Sequence, residues 1–124
     1  MQGVPIKDKV VLITGANRGI GRTFAQQALV MGARKVYATA RDEASLADLL
    51  ATGDDRLVAL KLDVTRQEQV DAAAESAGDV QILVNNAGLG GGGPIIGNPD
   101  ESGKRLEMEA NYFGIMRMVG AFAP

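Results

Sequence analysis

Four short apolar runs punctuate the chain: Val10–Ile13, Val36–Ala38, Leu57–Leu60 and Ile82–Val84. Each is apolar at consecutive rather than alternate positions, as strands buried on both faces are. Between them lie Arg22–Met31, Glu43–Leu50 and Gln67–Ala77, helical in composition and long enough for right-handed crossovers between parallel strands. The pattern predicts βαβαβαβ plus one further helix, an α/β fold on a parallel sheet. Gly32, Gly53 and Gly78 follow the three helices, where left-handed caps are expected. Thr65 is a predicted N-cap of the third helix and, with Glu68 three residues on, matches a capping box.

The C-terminal segment Lys104–Phe122 carries Met108, Tyr112, Phe113, Ile115, Met116, Met118, Val119 and Phe122, which from Tyr112 onward cover more than one helical face. One side is expected to pack on the sheet, the other on a neighbouring element or a partner chain. Before it, Asn85 to about Pro99 reads as a glycine-rich loop. Gly90–Gly93 reads as a flexible connection, so a functional role is sought only in Asn85–Gly88.

With 124 residues, 46% hydrophobic and 23% charged, the chain is sized for a single domain, 1–124. Its 13 Lys+Arg and 15 Asp+Glu leave a net charge of −2, scattered without a basic patch, which argues against nucleic acid or acidic membrane as partners. Cys, His and Trp are absent, so thiolate nucleophiles, disulfides, Cys/His zinc sites and imidazole bases are excluded. Any catalysis must use Ser, Tyr, Lys, Asp or Glu, and no metal site is expected. Val10–Ile13 is too short for a signal-peptide core or a membrane span, and the expected location is cytoplasmic.

Directly after the first run stands Thr14-Gly15-Ala16-Asn17-Arg18-Gly19-Ile20-Gly21, followed by a helical segment. A glycine loop between strand and helix suits phosphate, because backbone N–H groups converge there beside the positive helix end. Gly15 would allow the tight turn, Gly19 the approach of backbone to a pyrophosphate, and Gly21 close helix-to-strand packing.

The TGxxxGxG form resembles the short-chain dehydrogenase/reductase family, and three further stations agree: Asp63 after the third strand, Asn85-Asn86-Ala87-Gly88 closing the fourth as an NNAG motif, and Asn111 in the next helix. The resemblance implies a three-layer Rossmann-like half with a four-stranded parallel sheet, order 3-2-1-4, and helices on both faces. It further implies that Gly15, Asn17, Arg18, Gly19, Ile20 and Gly21 serve the pyrophosphate end of a nicotinamide dinucleotide. Asp63 and Val64 would face the adenine, and Asn85, Ala87 and Gly88 would border the adenosine ribose. Taken singly, Asp63 reads as a cap carboxylate and Asn85–Asn86 as turn formers; the joint pattern lifts them.

Cofactor choice rests on Thr39-Ala40-Arg41-Asp42 at the end of the second strand. Family members that prefer NAD carry an acidic residue at the position matching Ala40. Here that position is neutral and Arg41 follows, a guanidinium suited to a 2′-phosphate, with Arg18 as a second positive charge. NADP is therefore expected over NAD, with Asp42 the residue able to offset that preference by offering its carboxylate to the ribose.

The family's hydride transfer between nicotinamide and a carbonyl or alcohol uses a Tyr, a Lys and a Ser downstream of the Asn-bearing helix. By resemblance this chain corresponds to the N-terminal half of a family member and, of the four groups, contains only Asn111. Tyr112 adjoins it but points about 100° away on a helix, and neither Tyr112 nor Tyr37 has a Lys at helical spacing. The chain alone is expected to lack turnover. An open fourth-strand edge and the 104–122 helix predict a homodimer or higher assembly. The rival reading is a non-catalytic nucleotide-binding or self-assembling module; an adenosyl-methionine methyltransferase is disfavoured by Ile13 and Thr14, where an acidic residue is usual.

Overall fold

The computed structural model describes residues 6–86 and 114–122. Four parallel strands, β1 (Val10–Ile13), β2 (Lys35–Ala40), β3 (Leu57–Lys61) and β4 (Ile82–Val84), form one sheet in the order β3-β2-β1-β4. Val11 pairs with Val36 and Ile82, and Ala38 with Ile13 and Ala59. The helices are α1 (Gly19–Val30), α2 (Ala47–Leu50) preceded by a 3-10 turn (Glu43–Leu46), α3 (Gln67–Ser76) and α4 (Gly114–Phe122).

All four residues of β1 are at most 1% exposed, which requires cover on both faces. Successive strand side chains point to opposite faces, and the two cores divide that way. Val11, Ile13, Val36 and Ala38 meet Ala25 and Ala28 of α1 with Leu46 and Leu49. Val10, Leu12 and Tyr37 meet Val70 and Ala73 of α3 with Met118 of α4. The result is the expected three-layer α/β arrangement in the expected strand order.

Several local expectations are corrected. β2 extends to Lys35 and Ala40 because Thr39 is satisfied inside the sheet, its hydroxyl donating to Ile13 O at 3.1 Å. α1 begins at Gly19, within the glycine loop, rather than at Arg22. The second helix is a 3-10 turn joined to a single α turn, started by Asp42, whose carboxylate accepts from Ala44 N at 3.0 Å. Gly32 (φ 88°) and Gly53 (φ 74°) are left-handed as expected, whereas Gly78 is not, since Ala77 ends α3 with φ −115°. The capping box does not form: α3 starts after Arg66, and the Thr65 hydroxyl donates instead to Asp63 Oδ1.

The structure also binds its ends together. Asp54 grips Arg56 through two bonds of 3.0 and 2.7 Å, and Arg56 Nη1 donates to Leu29 O and Ala33 O, both at 3.1 Å, at the end of α1. Leu29 O, in the last turn of α1, also accepts from Gly32 N at 3.1 Å, so the guanidinium adds a second donor there and ties the residue after the helix, Ala33, to the loop before β3.

Candidate functional site

The carboxyl ends of the strands open on a cavity of about 720 Å³. The loop after β1 contributes Gly15, Asn17, Arg18, Gly19 and Ile20 to its walls. Ala40, Arg41, Asp42 and Ser45 follow β2; Leu62, Asp63, Val64 and Thr65 follow β3; Asn86 follows β4. Crevices beyond strand carboxyl ends are where open α/β sheets hold ligands.

The glycine loop is tied down from three sides. Thr14 N donates to Val84 O at 3.1 Å, and Asn86 N donates to the Thr14 hydroxyl at 2.8 Å. Ala16 N donates to Thr39 O at 2.9 Å, while Asn86 Nδ2 reaches Gly15 O at 3.3 Å. Gly15 (φ 66°) and Gly19 (φ 59°) adopt the left-handed backbone that glycine permits without strain. Gly21 serves by lacking a side chain: a Cβ there would lie 2.1 Å from Gly15 O and 2.4 Å from Asn86 Nδ2. Beside Gly19 the space is open, with nothing among the described residues within 4 Å of a Cβ position.

At the start of α1 no side chain among the described residues caps the helix, and its first turn holds no acid. The amides of that turn, with the positive end of the dipole, are thus presented at the cavity wall formed by Gly19 and Ile20. An anion fits such an end.

At the β2 end, Arg41 and Asp42 sit side by side on the rim. The Asp42 carboxylate is engaged with Ala44 N, whereas neither Arg41 nor Arg18 enters an ion pair among the described residues. At the β3 end, Asp63 is held on several atoms: its N–H donates to Gln69 Oε1 at 2.9 Å, and its Oδ1 accepts from Thr65 N at 3.0 Å and from the Thr65 hydroxyl at 2.6 Å. Asn85 Oδ1 is buried and has no hydrogen-bond partner among the described residues, the kind of orphan that a bound polar group satisfies.

Of the residues singled out in the sequence, Gly15, Asn17, Arg18, Gly19, Ile20, Arg41, Asp63 and Val64 come together on one cavity. Gly21 packs behind the loop against Gly15 and Asn86, and Asn85 follows β4 without joining the cavity lining. Ala87, Gly88 and Asn111 lie outside the described residues, as does most of the 104–122 segment. Ser45, Thr65 and Leu62 join the lining without having been selected. Ser45 lies four residues beyond Arg41 on a polar turn, and no spacing rule marks it.

A Tyr and a Lys do meet, but elsewhere. Lys35 Nζ donates to Tyr37 Oη at 3.1 Å and to Asp79 Oδ2 at 2.7 Å, and Tyr37 Oη donates to Asp79 Oδ1 at 2.7 Å. They share one face of β2 at the strand spacing of two, not a helical one. Lys35 opens β2, so the group sits toward the amino-terminal edge, away from the cavity. Burial, then the bond to Asp79, pushes the phenol above its ordinary value, the wrong direction for a base.

Among the described residues no helix is long and apolar enough to cross a membrane. The family model described as short chain dehydrogenase matches residues 9–124. The chain belongs to the short-chain dehydrogenase family.

Within that family it is 39% identical over 120 residues to galactitol 2-dehydrogenase of Agrobacterium fabrum, a match covering 94% of this chain and 46% of the relative. A short-chain dehydrogenase from Burkholderia cenocepacia, solved in complex with NADP, superposes with a TM-score of 0.88 at 41% identity, over 98% of this chain and 49% of that one. The 3-ketoacyl-(acyl-carrier-protein) reductase of Brucella melitensis, complexed with NADH, gives 0.87 at 32% identity over 96% and 50%. The chain thus spans about half the length of the relatives it matches.

Proposed function

We propose that this chain is the NADP-binding portion of an oxidoreductase that moves hydride between a nicotinamide and a carbonyl or alcohol substrate. The observation that carries the reading is the rim after β2. Ala40 offers no carboxylate, the Asp42 carboxylate is occupied by Ala44 N, and Arg41 bounds the same cavity as Arg18. Two guanidiniums outside any ion pair among the described residues, with Asp42 Oδ1 turned to Ala44 N, suit a phosphate monoester better than a bare ribose diol.

The rest of the cavity supports a dinucleotide. The uncapped start of α1 and the open space at Gly19 suit a pyrophosphate, and the orphaned Asn85 Oδ1 suits a hydroxyl donor on the ribose it would border. When bound, the nicotinamide supplies or accepts the hydride; the residues named here bind and orient the adenosine and diphosphate. Of the family's four catalytic groups, Asn111 is the one matched by resemblance within residues 1–124. The reading includes a homodimer or higher assembly through the 104–122 segment or the β4 edge, and a monodisperse monomer in light scattering refutes that part.

The test is fluorescence titration of the purified chain with NADPH and NADH, alongside a thermal-shift scan. NADPH is expected to bind saturably and at least about tenfold more tightly, as a charge-assisted contact provides. Arg41→Asp should abolish or reverse that ratio. An unchanged ratio removes Arg41 as the selector, and no binding by a folded chain overturns the reading.

A further inference from the structure

We propose that Gln81 is a positioning residue for the glycine loop: its side-chain oxygen pins β4 in register at the amino-terminal edge of the sheet, and that register sets where Asn86 meets Gly15 at the cavity. The inference rests on the dinucleotide reading above and deepens it by naming a residue outside the cavity on which affinity depends.

Val10 is fully buried, so its N–H requires an acceptor. The chain beside it has only just turned out of α3, with Val80 N bonded to Ala77 O at 3.2 Å, and β4 begins at Ile82. Gln81 fills the place with its side chain. Val10 N donates to Gln81 Oε1 at 3.0 Å, while Gln81 N donates to Val10 O at 2.9 Å. One residue thus takes both main-chain polar groups of Val10 and fixes which residues of the two strands face each other.

Burial does not fix that register. β4 is three residues long, half-buried throughout, and pairs with β1 alone among the described residues. Ile82 and Val84, opposite Val11 and Ile13, are both β-branched and pack against the same core. Each can take the other's place after a slip of two residues, which keeps every side chain on its own face. Such a slip moves the strand by about 6.6 Å. It would carry Asn86 away from the Thr14 hydroxyl and from Gly15 O, the contacts that hold the loop at the cavity. Gln81 guards against it from the other end of β1, about 13 Å from Thr14.

The experiment follows the amides of the full chain by hydrogen exchange with and without NADPH, and titrates NADPH by fluorescence. Coupling between two places is reciprocal, so NADPH is expected to slow exchange at Val10 N–H as well as at Thr14 and Asn86. Gln81→Met, of similar length but without the oxygen, should speed exchange at Thr14 and Asn86 besides Val10. It should also weaken NADPH about three- to tenfold, since binding then draws on the fraction of chains in register. Gln81→Glu keeps an acceptor at the same place and should restore affinity to within about twofold. A thermal-shift scan shows which variants are folded; were Gln81→Met to unfold, the exchange pattern of the unsubstituted chain still decides.

Protection by NADPH at Thr14 and Asn86 but not at Val10 overturns the inference while leaving the dinucleotide reading intact. So does a folded Gln81→Met chain of lower Tm and unchanged affinity, which would mark Gln81 as merely structural. Equal loss of affinity in the Met and Glu variants overturns it as well, because the oxygen is then not the group that acts. Failure of the folded, unsubstituted chain to bind NADPH overturns both.

Discussion

Replacing Gly21 by alanine tests whether the glycine loop and α1 are held as closely as the geometry states. The new Cβ would sit 2.1 Å from Gly15 O, a backbone atom, and must withdraw to at least 3.0 Å, a displacement of about 0.9 Å in a loop pinned at Thr14, Ala16 and Asn86. Overpacking of this kind costs about 1–3 kcal/mol. Loss of the Asn86 Nδ2 bond to Gly15 O adds about 1 kcal/mol, and the helical preference of alanine over glycine returns about 1 kcal/mol. The net expectation is about 2 kcal/mol of destabilisation, read as a Tm about 8 °C lower for a domain of this size.

Gly120 provides the control. It also lies in a helix, α4, but a Cβ there meets nothing among the described residues within 4 Å, so Gly120→Ala should raise Tm slightly. Helix propensity alone gives both substitutions the same sign. Should thermal unfolding show both variants stabilised, the close approach of Gly21 to Gly15 is wrong and the loop has room that the structure denies it.

Three further outcomes follow from features away from the cavity. Arg56→Ala should lower Tm by a few degrees and raise hydrogen exchange at the end of α1, because Ala33 O loses the Arg56 donor and Leu29 O is left with Gly32 N alone. The Arg56 guanidinium holds the Asp54 carboxyl down to about 2, and Lys35 followed by Tyr37 lowers that of Asp79. Depressed carboxylates stabilise above their unfolded value near 4 and lose that contribution as pH falls toward 2, so chemical denaturation should show stability dropping across that window and Asp54→Asn should flatten it. Tyr37 and Lys35 are raised, and a raised group contributes below its unfolded value and loses that contribution above it. Stability should therefore also decline above about pH 10, and Asp79→Asn should blunt that alkaline arm; an unaltered profile refutes the Lys35–Tyr37–Asp79 coupling.

Where burial alone decides the structure, the sequence was legible to the residue. β1 falls on the predicted Val10–Ile13 because its four apolar residues are all buried, and β4 keeps the predicted Ile82–Val84 although it is only half-buried. Where one polar group is satisfied by another far along the chain, legibility fails. Thr39 extends β2 through a bond to Ile13 O, and Thr65 abandons its expected cap for Asp63, since neither partner is chosen by local spacing. α1 starts earlier than glycine propensity allows, because its first turn is fixed by the loop's anchors and not by its own residues. The site was readable in its motifs, from Gly15 to Val64, since these are constraints on backbone shape. Ser45 and the Lys35–Tyr37 pair escaped because the first carries no pattern and the second repeats at strand rather than helical spacing.

The grip of Arg56 on the far end of α1 has an electrical consequence. A helix of twelve residues, about 18 Å long, separates a positive end at the cavity from a negative end that would partly cancel it at a distance. With the Arg56 guanidinium at Leu29 O in the last turn, a positive charge sits at the negative pole and mutes it, and Arg18 and Arg22 reinforce the other. The field leaving the cavity then extends about a Debye length, roughly 10 Å at 0.1 M salt, so that an anion's capture rate should fall steeply as salt is added while its escape changes little.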